Sequence, residues 1–157
     1  MQLGSGTVDL TPALTYLGGS YHWRYGTQLR YTRRLGENDA GYTLGDAARA
    51  AAWIHHPLGR FNVWLKGRYL RWGDIEGRDP QILTQMTMGP MTMKTSPTAY
   101  TRNYGGSRAD LTLAADVAVG GPFTLGVELS KPVYQDLNGD AQMKTDYSAQ
   151  LYLQMMY

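Results

Sequence analysis

The chain has 157 residues with a formal net charge of +2, 19 glycines, 12 tyrosines and no cysteine. Its 15 basic residues form no run or stripe, which argues against a nucleic-acid partner. The lack of cysteine excludes disulfides, thiolate metal sites and cysteine nucleophiles.

Alternation of apolar and polar residues with a period of two runs through most of the sequence and predicts β-strands. Long connections alternate with tight turns, a pattern typical of an up-and-down antiparallel sheet. We expect one β-barrel domain, or the C-terminal portion of one, over residues 1–157, with a long extracellular loop at 73–107. In chain order, the predicted strands are 6–18, 22–34, 43–56, 60–72, 108–120, 122–131 and 147–157.

One face of each predicted strand is apolar, and the aromatic residues of that face gather near the two strand ends. Near the tight turns they are Tyr16, Trp23, Tyr25, Phe61, Phe123 and Tyr157, and near the long loops they are Tyr31, Tyr69 and Tyr147. Leu, Val and Ala fill the band between them. Two aromatic girdles around an aliphatic band favour an all-β transmembrane barrel whose apolar face meets lipid. The alternative is a soluble, lipocalin-like barrel whose apolar face lines a ligand cavity.

The opposite face of the predicted strands carries the charges. The basic residues fall on strands two to four and the acidic residues on strands five, six and one, as Arg24, Arg30, Arg49, Lys66 and Arg68 against Asp110, Asp116, Glu128 and Asp9. In a closed barrel the two sets would face each other across the lumen. A wide lumen would then act on polar solutes through its field, whereas a narrow one would be plugged by ion pairs.

The last strand, "YSAQLYLQMMY", has an apolar residue at every second position and ends on an aromatic, Tyr157. It resembles the C-terminal assembly signal of bacterial outer-membrane proteins, in which the usual last residue is Phe. The resemblance implies recognition by the barrel-assembly machinery. The alternative is an ordinary edge strand, although a long apolar edge is an aggregation hazard in water.

Four longer motifs, "GSGTVDLTPALTY", "RRLGENDAGYTLGD", "RWGDIEGRD" and "KPVYQDLNGDAQMKTDYS", resemble the C-terminal part of outer-membrane transporters of the phenol-degradation (MetA-pathway) type. The resemblance covers most of the chain outside 80–104. It implies a porin-like channel for small solutes in the outer membrane of a Gram-negative cell, with membrane lipid as a partner. A structural barrel subunit of a larger assembly is the second alternative.

Seven strands conflict with the even number, from about eight upward, of a single-chain bacterial barrel. We therefore expect a C-terminal fragment of a longer chain, or one part of a barrel closed by other segments. The start "MQLGSGTVDL" also lacks the basic and apolar regions of a signal peptide. Alternatively, the segment "LTQMTMGPMTMKT" forms an eighth strand, which makes the number of strands even.

Few residues suggest metal binding or catalysis in addition to the passage of solutes. Met86, Met88, Met91 and Met93 lie in one loop and could offer soft ligands to Cu(I), but a flexible apolar loop is favoured over a metal site. His55 and His56 would face opposite ways in a strand, so they and His22 are expected to be interfacial polar residues. No nucleophile motif, phosphate loop or spaced pair of catalytic carboxylates is present, so we expect neither an enzyme nor a cofactor.

Overall fold

The fold is all-β, as a computed structural model describes it for residues 6–77, 85–88, 91–94, 100–139 and 142–155. The predicted antiparallel all-β class is confirmed. The described strands are Val8–Leu10 (β1), Ala13–Gly19 (β2), Arg24–Leu35 (β3), Tyr42–Thr43 (β4), Ala47–Leu58 (β5), Phe61–Trp72 (β6), Glu76–Gly77 (β7), Gln85–Met88 (β8), Met91–Lys94 (β9), Gly106–Gly120 (β10), Phe123–Leu137 (β11) and Ser148–Met155 (β12). In these ranges no helix is long and apolar enough to cross a membrane.

The main sheet is a meander in which each long strand pairs with the next one along the chain. β1 and β2 pair with consecutive stretches of β3, and the order then runs β3, β5, β6, β10, β11 and β12. All of these pairings are antiparallel. Tight turns therefore lie at one end of the sheet and long connections at the other.

Proline accounts for two departures from the predicted strands. The first strand is interrupted at residues 11–12, because Pro12 has no N–H to donate to β3. The sixth strand was predicted to end at 131, yet β11 continues to Leu137. A bulge makes this possible: Asp110 pairs with Pro132 and Ala109 with Tyr134, which leaves Val133 as the extra residue.

The long-loop end contains two additional ladders. The predicted third strand, 43–56, is divided: β5 begins at Ala47, and β4 pairs instead with β7. β8 and β9 pair with each other, with Met86 opposite Met93 and Met88 opposite Met91. In its described residues, 85–88 and 91–94, the methionine segment therefore adds no strand to the main sheet.

The main sheet does not close on itself within the described part of the chain. β1 and β2 form one edge and β12 forms the other, and no pairing joins these edges there. A closed barrel is thus not present in these ranges, and closure of the sheet by other segments, as the sequence predicts, stays a prediction.

Burial in this sheet is inverted relative to a soluble domain. Among the described residues the buried apolar side chains are Ala47 and Ala114, whereas the buried polar ones are Thr32, Asn38, His55, Asn103, Asp110 and Asp116. Large apolar side chains of the other face are exposed, Leu113 by 56% of its surface. This distribution is that of a curved sheet with its polar face on the concave side. In the described part of the chain, the strands are held by their ladders, without a hydrophobic core.

Side chains tie the loops to the strand ends. Asp46 accepts hydrogen bonds from the Tyr31 hydroxyl at 2.7 Å and from the Arg34 backbone N–H at 2.9 Å. At the neighbouring loops, Asp74 Oδ1 accepts from the Gly105 N–H at 2.8 Å and from Asn138 Nδ2 at 2.9 Å. The two ends of the connection between β6 and β10 and the loop after β11 therefore share an anchor at this end.

The charge of Asp46 is expected to stabilise the fold at neutral pH. The hydrogen bond from Tyr31, followed by the one from the Arg34 backbone, holds the pKa of Asp46 below its ordinary value of 3.8. A lowered folded-state pKa contributes stability above pH 3.8 that is lost as the pH falls through the folded value. Asp46→Asn should therefore lower the free energy of unfolding at neutral pH but have little effect well below pH 3.8. Denaturant titrations at both pH values, followed by circular dichroism, measure this. An equal loss at both pH values would contradict a role of the charge.

Candidate functional site

The nine charges that the sequence analysis assigned to one face do share a face. The register places Asp110 opposite Arg68, Asp9 opposite Arg34 and Arg49 opposite Arg30. Because residues two apart on a strand project from the same side, the other charged residues of the set lie on that face as well. We call this concave surface the polar face. Its residues in the predicted set are Asp9, Arg24, Arg30, Arg49, Lys66, Arg68, Asp110, Asp116 and Glu128.

The acidic residues of the polar face are matched by donors within the sheet. Asp110, which is 4% exposed, lies 2.7 Å from Arg68 Nη2 and also pairs with Arg108, whose Nε is 2.9 Å from Oδ1. Lys66 reaches over β10 to form an ion pair with Glu128 on β11. Asp9 lies 3.6 Å from Arg34. The basic and acidic sets are thus partly joined along the sheet. The sequence pattern had indicated interactions between the two sets only across a lumen.

Three basic residues of the polar face lack, within the described ranges, the ion pairs that Lys66 and Arg68 form. Arg24, Arg30 and Arg49 are exposed, and they form no ion pair with the carboxylates of the described ranges. The polar face consequently has an excess of positive charge on β3 and β5.

A hydrogen-bonded network of aromatic and polar side chains lies toward the tight-turn end of the polar face. Asn62 Nδ2 donates to Asp116 Oδ1 at 2.6 Å, and Trp64 Nε1 donates to Oδ2 at 2.8 Å. Because a carboxylate only accepts, Asn62 must turn its amide nitrogen to Asp116 and its oxygen to His55, 3.0 Å from Nε2. His55 Nε2 therefore carries a proton, and its ring stacks on Trp64 at 4.1 Å.

This network forms part of the wall of a cavity of about 550 Å³. Arg24, Trp53 and Gln154 contribute further donors and aromatic surface to the same wall. His55 and Asp116 are linked through Asn62 and make no direct hydrogen bond, so the network fixes orientation and offers no activated nucleophile. An exposed guanidinium beside two indole rings suits the binding of a small polar solute.

His55 and His56 do face opposite ways, since the strand places them in alternate phases. His56 packs 4.3 Å from Trp23 on the apolar side, with its Nδ1 2.6 Å from the His22 carbonyl oxygen. Within the described ranges, no group of three or more His, Cys, Asp or Glu side chains is placed to hold a metal ion. The side chains of Met86, Met88, Met91 and Met93 lie outside the described residues, so the Cu(I) hypothesis for them stays a prediction.

Eight of the nine aromatic residues proposed for the girdles are on the convex, apolar face. Tyr157 lies outside the described residues. The other eight are exposed: Tyr16, Trp23, Tyr25, Tyr31, Phe61, Tyr69, Phe123 and Tyr147. Tyr31, Tyr69 and Tyr147 are near the long loops, and the others are near the tight turns.

Several polar-face residues were missed by the sequence analysis. Arg108, Asn62 and Tyr152 were not singled out, although each lies in the phase that carries the charges. His55 was expected at the interface, yet it is buried in the polar network. Tyr152 covers Gly126, where an added Cβ would meet its ring. The position of each residue in the two-residue alternation was the signal that could have identified them. It was overlooked because these residues are uncharged or, for Arg108, lie at a strand end.

Comparison with known proteins gives no assignment: no protein-family model and no curated protein matches the chain. The resemblance to outer-membrane transporters of the phenol-degradation type therefore stays a prediction from the motifs.

Asp116 is expected to hold the tight-turn end of the polar face together. Asp116→Ala would leave the Trp64 and Asn62 donors without their acceptor, which costs about 1–3 kcal/mol of stability. Denaturant unfolding followed by tryptophan emission measures the loss. Glu37→Ala, at an exposed loop position, is the control and should change stability little. Equal effects of the two substitutions would contradict a structural role for this carboxylate.

Proposed function

We propose that this sheet forms part of the wall of an outer-membrane β-barrel that passes small polar solutes. The observation that carries the proposal is the inverted burial: the convex face exposes large apolar side chains while carboxylates are buried on the concave face. In water such an arrangement leaves a large apolar surface without a partner. In a bilayer the apolar face meets lipid and the polar face lines the lumen.

The distribution of residues on the convex face supports a membrane orientation. Exposed aromatics flank an aliphatic band that contains Leu29, Leu65, Leu113 and Val127. At the long-loop end, the register brings Arg33, Arg71 and Lys131 onto the same face, close to Tyr31 and Tyr69. Basic and aromatic side chains at this level match the headgroup region of a membrane.

The open edges indicate what else the barrel needs. β1, β2 and β12 each leave one row of backbone groups unpaired within the described sheet, which hydrocarbon does not tolerate. We propose that further strands, from the same polypeptide or from another subunit, close the wall. The barrel-assembly machinery would act on β12, the strand that ends in the predicted assembly signal.

The excess of basic residues favours passage over a sealed wall. Arg24, Arg30 and Arg49 are exposed on the polar face, whereas a plugged lumen would pair them. A structural subunit of a larger barrel assembly is the second candidate, since the ion pairs of Asp110 and Glu128 also stiffen the sheet. A soluble lipocalin-like barrel would need its apolar face turned inward, and the exposure of that face does not favour it.

The lipid contact of the convex face can be tested with tryptophan fluorescence in vesicles of brominated lipid. Trp23 lies on the convex side, whereas Trp53, Trp64 and Trp72 lie on the polar face. Quenching in the wild type should fall markedly in Trp23→Phe and should persist in the control Trp64→Phe. Recovery of the chain as a soluble monomer without detergent, with emission indifferent to bromine, would overturn the membrane proposal.

The lumen role of the polar face can be tested by ion selectivity in planar bilayers, with the barrel closed by its further strands. Arg24→Glu reverses an exposed charge of the polar face and should shift the preference toward cations. Arg71→Glu, the matched control on the convex face, should leave selectivity unchanged. A correctly folded barrel without conductance would instead favour the structural role.

A further inference from the structure

The charge balance of the polar face leaves two arginines in an unfavourable position. Arg30 on β3 is directly opposite Arg49 on β5, so their Cβ atoms are about 5 Å apart. Like charges directly opposite each other in a sheet are destabilising. Both side chains are exposed, and neither has an ion pair or side-chain hydrogen bond to the described residues.

The carboxylates of the polar face are already engaged elsewhere. Asp110 lies between Arg68 and Arg108. Glu128 is paired with Lys66, and Asp116 accepts from Asn62 and Trp64. Asp9 lies beside Arg34. These four acids therefore do not compensate the Arg30–Arg49 pair.

The neighbours of the pair on the polar face are uncharged, apart from one further arginine. Ala13 is opposite Arg30, and Ala47 and Ala51 flank Arg49 on its own strand. The larger neighbours are Leu70, opposite Arg49, and Gln28 and Thr32, which flank Arg30. Arg68 on β6 is opposite Ala51 and therefore diagonal to Arg49. The two guanidinium groups thus lie among uncharged side chains with a third cation nearby.

We propose that Arg30 and Arg49 form a clamp for an oxyanion, a carboxylate or phosphate group carried by a small solute. Two guanidinium forks can hold the oxygens of one such group with parallel charge-assisted hydrogen bonds. The bound anion also removes the repulsion between the two side chains. The assignment rests on the proposed function in one respect, that the polar face lines the path of the solute.

The clamp is separate from the aromatic network near the tight turns. Arg24 and Arg30 are six residues apart on β3, a separation of about 20 Å along the strand. The cavity that Arg24 shares with His55 and Trp64 does not include Arg30 or Arg49. Solutes would therefore meet an aromatic site and an oxyanion site at different depths.

The test uses the 157-residue chain refolded in zwitterionic detergent micelles, with inorganic phosphate and succinate as probes and chloride as the reference. Side-chain Nε–H resonances of Arg30 and Arg49 should shift saturably with a probe, and the resonance of Arg71 should not. Arg49→Gln should weaken binding about tenfold or more, because it removes charged hydrogen bonds. Arg49→Lys keeps the charge but loses the fork and should bind with intermediate affinity.

Stability provides a second readout that a purely structural arginine would not give. In a low-salt buffer without oxyanions, Arg49→Gln should raise the midpoint of thermal unfolding, because one of two repelling charges is gone. The wild type should gain stability on addition of the probe, and Arg49→Gln should not. Arg71→Gln is the matched control and should follow the wild type.

The outcomes separate this inference from the proposed function. Saturation by phosphate alone, by succinate alone or by both supports the clamp and identifies its anion class. No saturable shift with either probe, or a lower midpoint for Arg49→Gln in the oxyanion-free buffer, overturns the clamp even if the barrel conducts. Saturable binding by a chain whose Trp23 is indifferent to brominated lipid would retain the clamp and overturn the membrane proposal.

Discussion

The antiparallel backbone ladder from β2 to β12 is the interaction on which the rest of this structure depends. A soluble domain of this length would normally be held by a buried apolar core, but the described chain buries two alanines. The ladder must therefore supply the cohesion. Its hydrogen bonds gain most where water cannot compete for them, which is the situation in hydrocarbon. In the membrane placement proposed above, the same condition requires the outer side chains to be apolar, so the sparse core of the described chain and its apolar convex face would have one physical origin.

The polar face adds a second layer of order to the ladder. Lys66 spans an intervening strand to reach Glu128, and Asp110 joins β6 to the start of β10 through two arginines. Such pairs lie in a partly desolvated surface, where an unmatched charge is costly. Arg24, Arg30 and Arg49 have no acidic partner in the described ranges and add nothing to this order; in the proposed function they act on the solutes that pass the polar face.

Much of this fold could be predicted from the sequence, because a period of two is a backbone property that each strand displays locally. The phase alone placed Arg24, Lys66 and Asp116 on one face, and the structure has them there. Which residues pair could not be predicted, since Lys66 and Glu128 are brought together by register across three strands. The orientation of Asn62 between His55 and Asp116 likewise depends on contacts between distant segments. The predicted sixth strand stops at 131, just before Pro132, because local propensity does not register that a bulge can accommodate a proline.

The bulge at Val133 determines which face of the sheet each later residue of β11 occupies. Beyond the bulge, Tyr134 is on the convex face and Gln135 on the polar face, where the Gln135 amide exchanges two hydrogen bonds with the Thr145 backbone, at 2.8 and 3.0 Å. Removing Val133 would delete the extra residue and leave Tyr134 and Gln135 opposite their present partners on β10, so the faces and the Gln135–Thr145 hydrogen bonds would be kept. Removing a second residue would interchange the two faces for the remainder of the strand and carry Gln135 away from Thr145. The strand should therefore tolerate the loss of one residue here and not of two, a constraint that comes from the ladder and not from any side chain.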